Sequence, residues 1–390
     1  MNTINHIHPL TCSDTTNLWA DLNKLGEVLW NWHLCNACTP DTVCHFQYCP
    51  WHNRNALGFF QNYYESMTSD YHPQARKQIV LNSRDDLLAI VQHMKQHPTL
   101  TRTEVMRECF HTSDEQDPGP LVWRDRDRAV SMAASLIFCV DFGYEKAHAD
   151  DNDPFKWEDG WKLSEIVGKL FPSQSGLTKP ISKDAWSQVE IKEWFSAENL
   201  KKKIKGLSFE ATDDLRNHLR FDQHARVLQV FQGTAVMKQI LLASQTNADV
   251  CFIPRALAVE CCSTIYNLLF DFDNGASYKI LEGLVRKNGF YEDLKSYNSA
   301  FHQIDIENDD KFPYFGCRLN ILLEEMQDPS PANWFERLFD SGEKSAERRM
   351  LMITMIGVAI TAMSSTLNLI VASYQAYVGY QAWQSQTREQ

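Results

Sequence analysis

The sequence predicts an all-α protein, a multi-helical globular body followed by one long C-terminal transmembrane helix. Apolar residues recur at three- and four-residue steps along most of the chain, and alternating runs of strand length are few. Residues 350–387 contain no Asp, Glu, Lys, Arg or His, although 23% of the chain is charged. The apolar core of that stretch, from Met350 at its start to Val371 at its end, covers ~30 Å of hydrocarbon at ~1.5 Å per helical residue.

In chain order, Thr15 or Thr16 can cap a first helix whose Leu18, Leu22, Leu25, Val28, Leu29 and Trp32 share one face. The densest metal-ligand chemistry follows directly: His33, Cys35, Cys38, Cys44, His45, Cys49 and His52. Zinc prefers thiolate and imidazole ligands in a tetrahedron, and the two-residue spacer between Cys35 and Cys38 lets both thiolates meet one ion. Cys44 and Cys49, or either with His45 or His52, can complete the shell. Such a zinc would be structural, because no substrate-binding pattern lies nearby. The competing reading is a corner in which the thiols pack as small hydrophobes.

Ser83 and Asp86 form a capping-box-like start to a helix buried through Leu87, Ile90, Val91 and Met94. Thr101 or Thr103 opens another, with Val105, Met106, Cys109 and Phe110. Arg124 to Arg128 open a helix expected to run through Phe142, apolar nearly all round and so expected to be central. The acidic run 149–154 marks the clearest internal boundary, which sets the expected organisation as 1–150, 151–341 and 342–390. Beyond it, Trp157 to Phe171 reads as one amphipathic helix, and Trp186, Val189, Trp194 and Leu200 as the next. Lys201 to Lys205 is the one dense basic run, expected as a solvated helix end. A helix is expected from Thr212, a short strand or extended turn at 226–231, and helices from Thr234, Pro254, Ser277 and Tyr314. His218 and His224 read as ordinary polar contacts. Trp334, Phe335, Leu338 and Phe339 are placed at the membrane surface.

The span carries its own signals. Arg337, Lys344, Arg348 and Arg349 precede it and only Arg388 follows, a bias that places the amino-terminal body in the cytosol. A single span so near the C terminus implies a tail-anchored protein. Tyr374, Tyr377, Tyr380 and Trp383 are expected as anchors at the membrane–water interface, with Arg348 and Arg349 on the other side. Gly357, Thr361, Ser364, Ser365, Asn368, Ala372 and Gln375 share one helix face. That face can associate with another helix, as in a homo-oligomer, or its hydroxyls can bond their own backbone one turn back.

Composition narrows function by exclusion. A net charge of −12 disfavours sequence-independent nucleic-acid binding, which needs a basic face. The opening residues lack a basic start followed by an apolar run, so no secretory signal is expected, and the eleven cysteines read as reduced. No phosphate-cradling loop, nucleophile elbow or paired His–Glu metal helix is legible. The stretches TDDLRNHLRFD, YFGCRLNILLEEMQDPSPANWFERLFDSG, AERRMLMITMIGVAI and YQAYVGYQAW resemble a family of uncharacterised filamentous-fungal proteins. The resemblance runs chiefly over 205–385 and implies a helical body, a Trp-containing juxtamembrane segment, a basic pair and one C-terminal span. It implies no activity or cofactor. The functional expectation is a membrane-anchored helical interaction protein touching membrane lipid. The alternative is a zinc-stabilised regulatory or nucleic-acid-associated protein.

Overall fold

Local caps open several of the helices, and left-handed residues end two of them, at Asn31 and Cys139. The computed structural model describes residues 18–32, 35, 44, 49, 58–69, 71, 80–110, 119–143, 155–172, 188–246, 251–287, 289–295, 312–329 and 345–386. Helix α1 (Leu18–Trp30) stops at Asn31, whose φ is 51°. Trp32 then folds back onto the helix, its backbone N–H donating to Gly26 O at 3.3 Å. A Cβ at position 26 would stand 2.3 Å from the Trp32 ring, so this return requires glycine. Trp32 Nε1 donates to Gln239 Oε1 at 3.1 Å, a tether 207 positions along the chain.

After α2 (Gly58–Ser69), helix α3 (Arg84–Gln96) opens on the expected capping box. The Ser83 N–H donates to Asp86 Oδ2 at 3.0 Å, and Asp86 N–H returns to Ser83 Oγ at 3.4 Å. Helix α4 (Arg102–Cys109) begins at Thr101, whose N–H donates to Glu104 Oε2 at 2.8 Å. Helix α5 (Pro120–Phe138) starts with proline in its first turn, and Ala129 through Phe138 are all buried. It packs on α3 and α4, the central position its sequence predicts, but it ends at Phe138 and not at Phe142, because Cys139 turns left-handed at φ 53°. Arg102 fastens this layer to the next segment by donating to Asp127 Oδ1, Ser131 Oγ and Trp157 O at 2.5, 3.1 and 2.9 Å.

Two helical expectations need correction here. The stretch from Phe155 to Trp161 is irregular, and only Leu163–Glu165 (a 3-10 turn) and α6 (Ile166–Leu170) are helical. Trp157 is buried by ring packing on Phe142 and by an indole N–H bond to Trp161 O at 2.9 Å, so apolar spacing here reports burial without helix. The next helix is broken into α7 (Gln188–Trp194) and α8 (Ala197–Lys203), with Ser196 Oγ capping the second at Asn199 N. Lys201, Lys202 and Lys203 fill the last turn of α8. Lys202 pairs with Glu198 at 2.7 Å and Lys201 lies over the Phe209 ring, as a helix end predicts.

The all-α expectation also needs correction. The body is mostly helical but contains a three-stranded mixed sheet of order β1–β3–β2, formed by β1 (Ser208–Thr212), β2 (Phe221–Asp222) and β3 (Val227–Phe231). β1 runs parallel to β3 from Ser208↔Val227 to Thr212↔Phe231, and β2 is antiparallel to β3. No helix starts at Thr212; Leu215–Asn217 is a single 3-10 turn capped by Asp214. The β2–β3 turn closes because Asp222 Oδ1 accepts the N–H groups of His224 and Ala225 at 2.7 and 2.9 Å. Arg226 completes it at φ 56°.

Helix α9 (Thr234–Thr246) packs against α10 (Arg255–Ser263), which continues as a π-helical turn, Thr264–Leu269. Asn274 Oδ1 accepts from Ala276 and Ser277 N–H to open α11 (Gly275–Lys287), and α12 (Gly316–Gln327) follows. One hydrophobic cluster takes in residues from Leu25 to Met326. The chain forms two compact units, Met1–Asp328 and Pro329–Gln390. Across the acidic run, Phe155 N–H donates to Asp141 O at 2.8 Å and its ring meets Phe142 at 5.4 Å. The run itself, and Trp334, Phe335, Leu338 and Phe339, lie outside the described residues. In the second unit, the helix α13 (Ser345–Gln386) carries the apolar stretch.

Candidate metal centre and membrane helix

Cys35, Cys44 and Cys49 are brought together, with their sulfur atoms all within 4.8 Å of one another. Cys35 Sγ and Cys44 Sγ are 3.5 Å apart, too far for a disulfide and near the ~3.8 Å that separates two thiolates on one tetrahedral zinc. Cys44 and Cys49 are buried in the hydrophobic cluster that includes Leu29, Trp30, Trp32 and Phe60. Cys35 follows the folded-back Trp32 by three positions. Three soft thiols at this spacing can hold a metal ion. Cys38, His45 and His52, the other expected ligands, lie outside the described residues.

The helix α13 runs unbroken through Met350, Gly357, Thr361, Ser365, Asn368, Val371, Tyr374, Tyr377 and Trp383. Its stretch Gly357–Gln381 is long and apolar enough to cross a membrane, and none of it is buried. A core helix of the same composition would be covered. This stretch starts later than position 350 and takes in Tyr374 and Tyr377, while Trp383 lies just beyond it. Arg348 and Arg349 belong to the helix's first turns. Several hydroxyls are satisfied locally: Thr361 donates to Gly357 O at 2.8 Å, Ser365 to Thr361 O at 2.8 Å and Ser373 to Leu369 O at 2.7 Å.

Two buried polar groups escape a sequence reading. His218 is fully buried, accepting the Phe231 N–H at Nδ1 (3.2 Å) and meeting Thr264 Oγ1 at Nε2 (2.7 Å). The first bond requires a bare Nδ1, so Nε2 carries the proton and donates. Burial, and then the Arg318 charge, pull its pKa down to about 3, so the ring is neutral. Arg318 donates to the His218 carbonyl. One turn before Thr264, the Glu260 carboxyl group accepts the N–H of Phe315 at 2.6 Å and of Tyr314 at 3.0 Å at the start of α12. The second group is Lys238 with Asp293, paired at 3.2 Å beside Thr234 and Tyr266. The available signal was a lone charge within an apolar run, Lys238 in TAVMKQILL and Glu260 in LAVECC. His224, by contrast, is exposed on the β2–β3 turn.

These groups form no open site. The cavity beside them, between Asp213, Cys139, Gly233 and Tyr291, is about 10 Å³, room for one water. No protein-family model, curated protein or solved structure matches the chain. Among the described residues, fold and sites therefore define a mostly helical protein with a small mixed sheet, a three-thiol cluster and one exposed helix of membrane-spanning length.

Proposed function

We propose that this is a single-pass membrane-anchored interaction protein whose helical body lies in the cytosol. The observation that carries the reading is the full exposure of Gly357–Gln381, an apolar surface that water would not tolerate at this length. The excess of Arg337, Lys344, Arg348 and Arg349 over Arg388 supports the orientation. Membrane lipid is the first partner, and the polar face of the span suits association with another helix. Carbonate extraction with protease protection of the full chain tests this. The expected result is a protein that stays in the pellet, with the body digested and the segment beyond the span protected. Release by carbonate would return α13 to an interfacial or soluble role.

We further propose that Cys35, Cys44 and Cys49 hold a structural zinc, which would fasten the segment after α1 to the core. The thiolate donor set and the buried setting support zinc over harder cations. Purified protein is expected to carry roughly one zinc per chain. Cys44→Ala should lose the metal and several degrees of Tm. An apo protein of unchanged Tm would overturn the assignment.

A further inference from the structure

We propose that Asn368 pairs α13 with the same helix of a second copy of this chain, amide to amide near the bilayer centre, in a parallel homodimer. The inference rests on the reading of α13 as a membrane span and adds the partner and the residue that selects it.

Asn368 lies beside the midpoint of Gly357–Gln381. Of its polar neighbours, Thr361, Ser365, Thr366 and Ser373 each donate one hydroxyl to a carbonyl three or four residues back. A carboxamide has two donors and an acceptor, more than one spare carbonyl can answer. Among the described residues, the Asn368 side chain has no hydrogen-bond partner. Near the centre of the hydrocarbon no water is available to supply one, so the group seeks a polar partner at its own depth.

An identical chain supplies that partner without any further requirement. Copies inserted with the same flanking charges lie parallel and place both amides at equal depth, where each can donate to the other. The surrounding face permits the approach. Thr361 and Gln375 stand seven residues either side of Asn368, and Ser364, Ser365 and Ala372 between them are small. The bulky Met363, Ile370 and Tyr377 fall on the opposite side, suited to lipid. A foreign helix would need its own polar residue at this depth, which nothing in this chain specifies.

The test uses full-length chain labelled in two colours and reconstituted into phosphatidylcholine vesicles, with energy transfer followed against the protein-to-lipid ratio. Wild type should show saturable transfer above random proximity. Asn368→Leu, which inserts at least as well, should weaken association by ~5–20-fold, and Asn368→Gln, which keeps the amide, should restore most of it. A wild type that is monomeric in vesicles, as expected if Asn368 serves a foreign helix, overturns the pairing. So does an N368L variant that associates like wild type. Carbonate extraction of the same vesicles separates the two levels. Retention with monomeric wild type overturns the pairing alone, while release overturns the anchor and the pairing together.

Discussion

Lys238→Ala should destabilise the body by about 3–5 kcal/mol, measured as thermal or denaturant unfolding of the full chain in mild detergent. Lys238 is buried on α9 and Asp293 is 2% exposed, so neither charge has water to fall back on. Asp293 Oδ2 accepts from Lys238 Nζ at 3.2 Å and from Thr234 Oγ1 at 2.8 Å; Tyr266 OH donates to that same Thr234 oxygen at 3.1 Å. Asp293 Oδ1 has no partner among the described residues, so the carboxylate already depends on the ammonium. Removing the lysine leaves an uncompensated buried anion, and that penalty exceeds the loss of lysine packing. The double variant Lys238→Met with Asp293→Leu removes both charges and should recover most of the loss. A single-variant cost below about 1 kcal/mol, or a double variant as unstable as the sum of the two, would show that the pair is not coupled.

Glu260→Gln should change how stability depends on pH. Burial pushes the Glu260 pKa up from 4.5 to about 7, against the opposing hydrogen bonds from Phe315 and Tyr314 N–H. Because the folded value lies above the unfolded one, folding favours the protonated form. Its contribution is fully present below about pH 4.5, declines as pH rises, and is gone above about pH 7. The integrated effect is about 3 kcal/mol. His218 acts in the opposite sense. Its pKa is lowered from 6.5 to about 3, so its contribution is present above about pH 6.5 and is lost as pH falls toward 3. Between about pH 4.5 and 6.5 the two slopes oppose each other, and wild type should be nearly flat as far as this pair is concerned. Glu260→Gln removes one slope. Its stability deficit relative to wild type should therefore be about 3 kcal/mol larger at pH 4.5 than at pH 8. A deficit independent of pH would mean that Glu260 titrates near its ordinary value in the fold.

Both predictions concern contacts that no local pattern announces. Lys238 and Asp293 are 55 positions apart, and Glu260 reaches N–H groups 54 and 55 positions away. In a linear reading Lys238 and Glu260 are charges that spoil apolar runs, and Asp293 is one of several charges in a polar stretch. Of the three strands, β3 falls where the sequence predicts a short strand or extended turn at 226–231, while β1 was obscured for a related reason. β1 is a short segment whose parallel partner begins at Val227, beyond the β2 hairpin, so its pairing has no hairpin turn to mark it. Trp157 and Trp161 misled in the other direction: they are spaced as a helix face would be, but they meet Phe142 and Phe155 from an irregular segment.

What the sequence determined by itself is what short-range physics decides. The capping box at Ser83, the central apolar helix that contains Ala129, and the unbroken apolar helix through Asn368 each depend on residues within a turn or two. The thiol cluster was legible in outline because its cysteines are close in sequence. The tertiary structure alone decided which sulfurs converge, where the mixed sheet forms and how Lys238, Glu260 and His218 are satisfied. A buried polar group can persist only where distant chain segments supply its partner, and which segments meet is settled by packing the whole core.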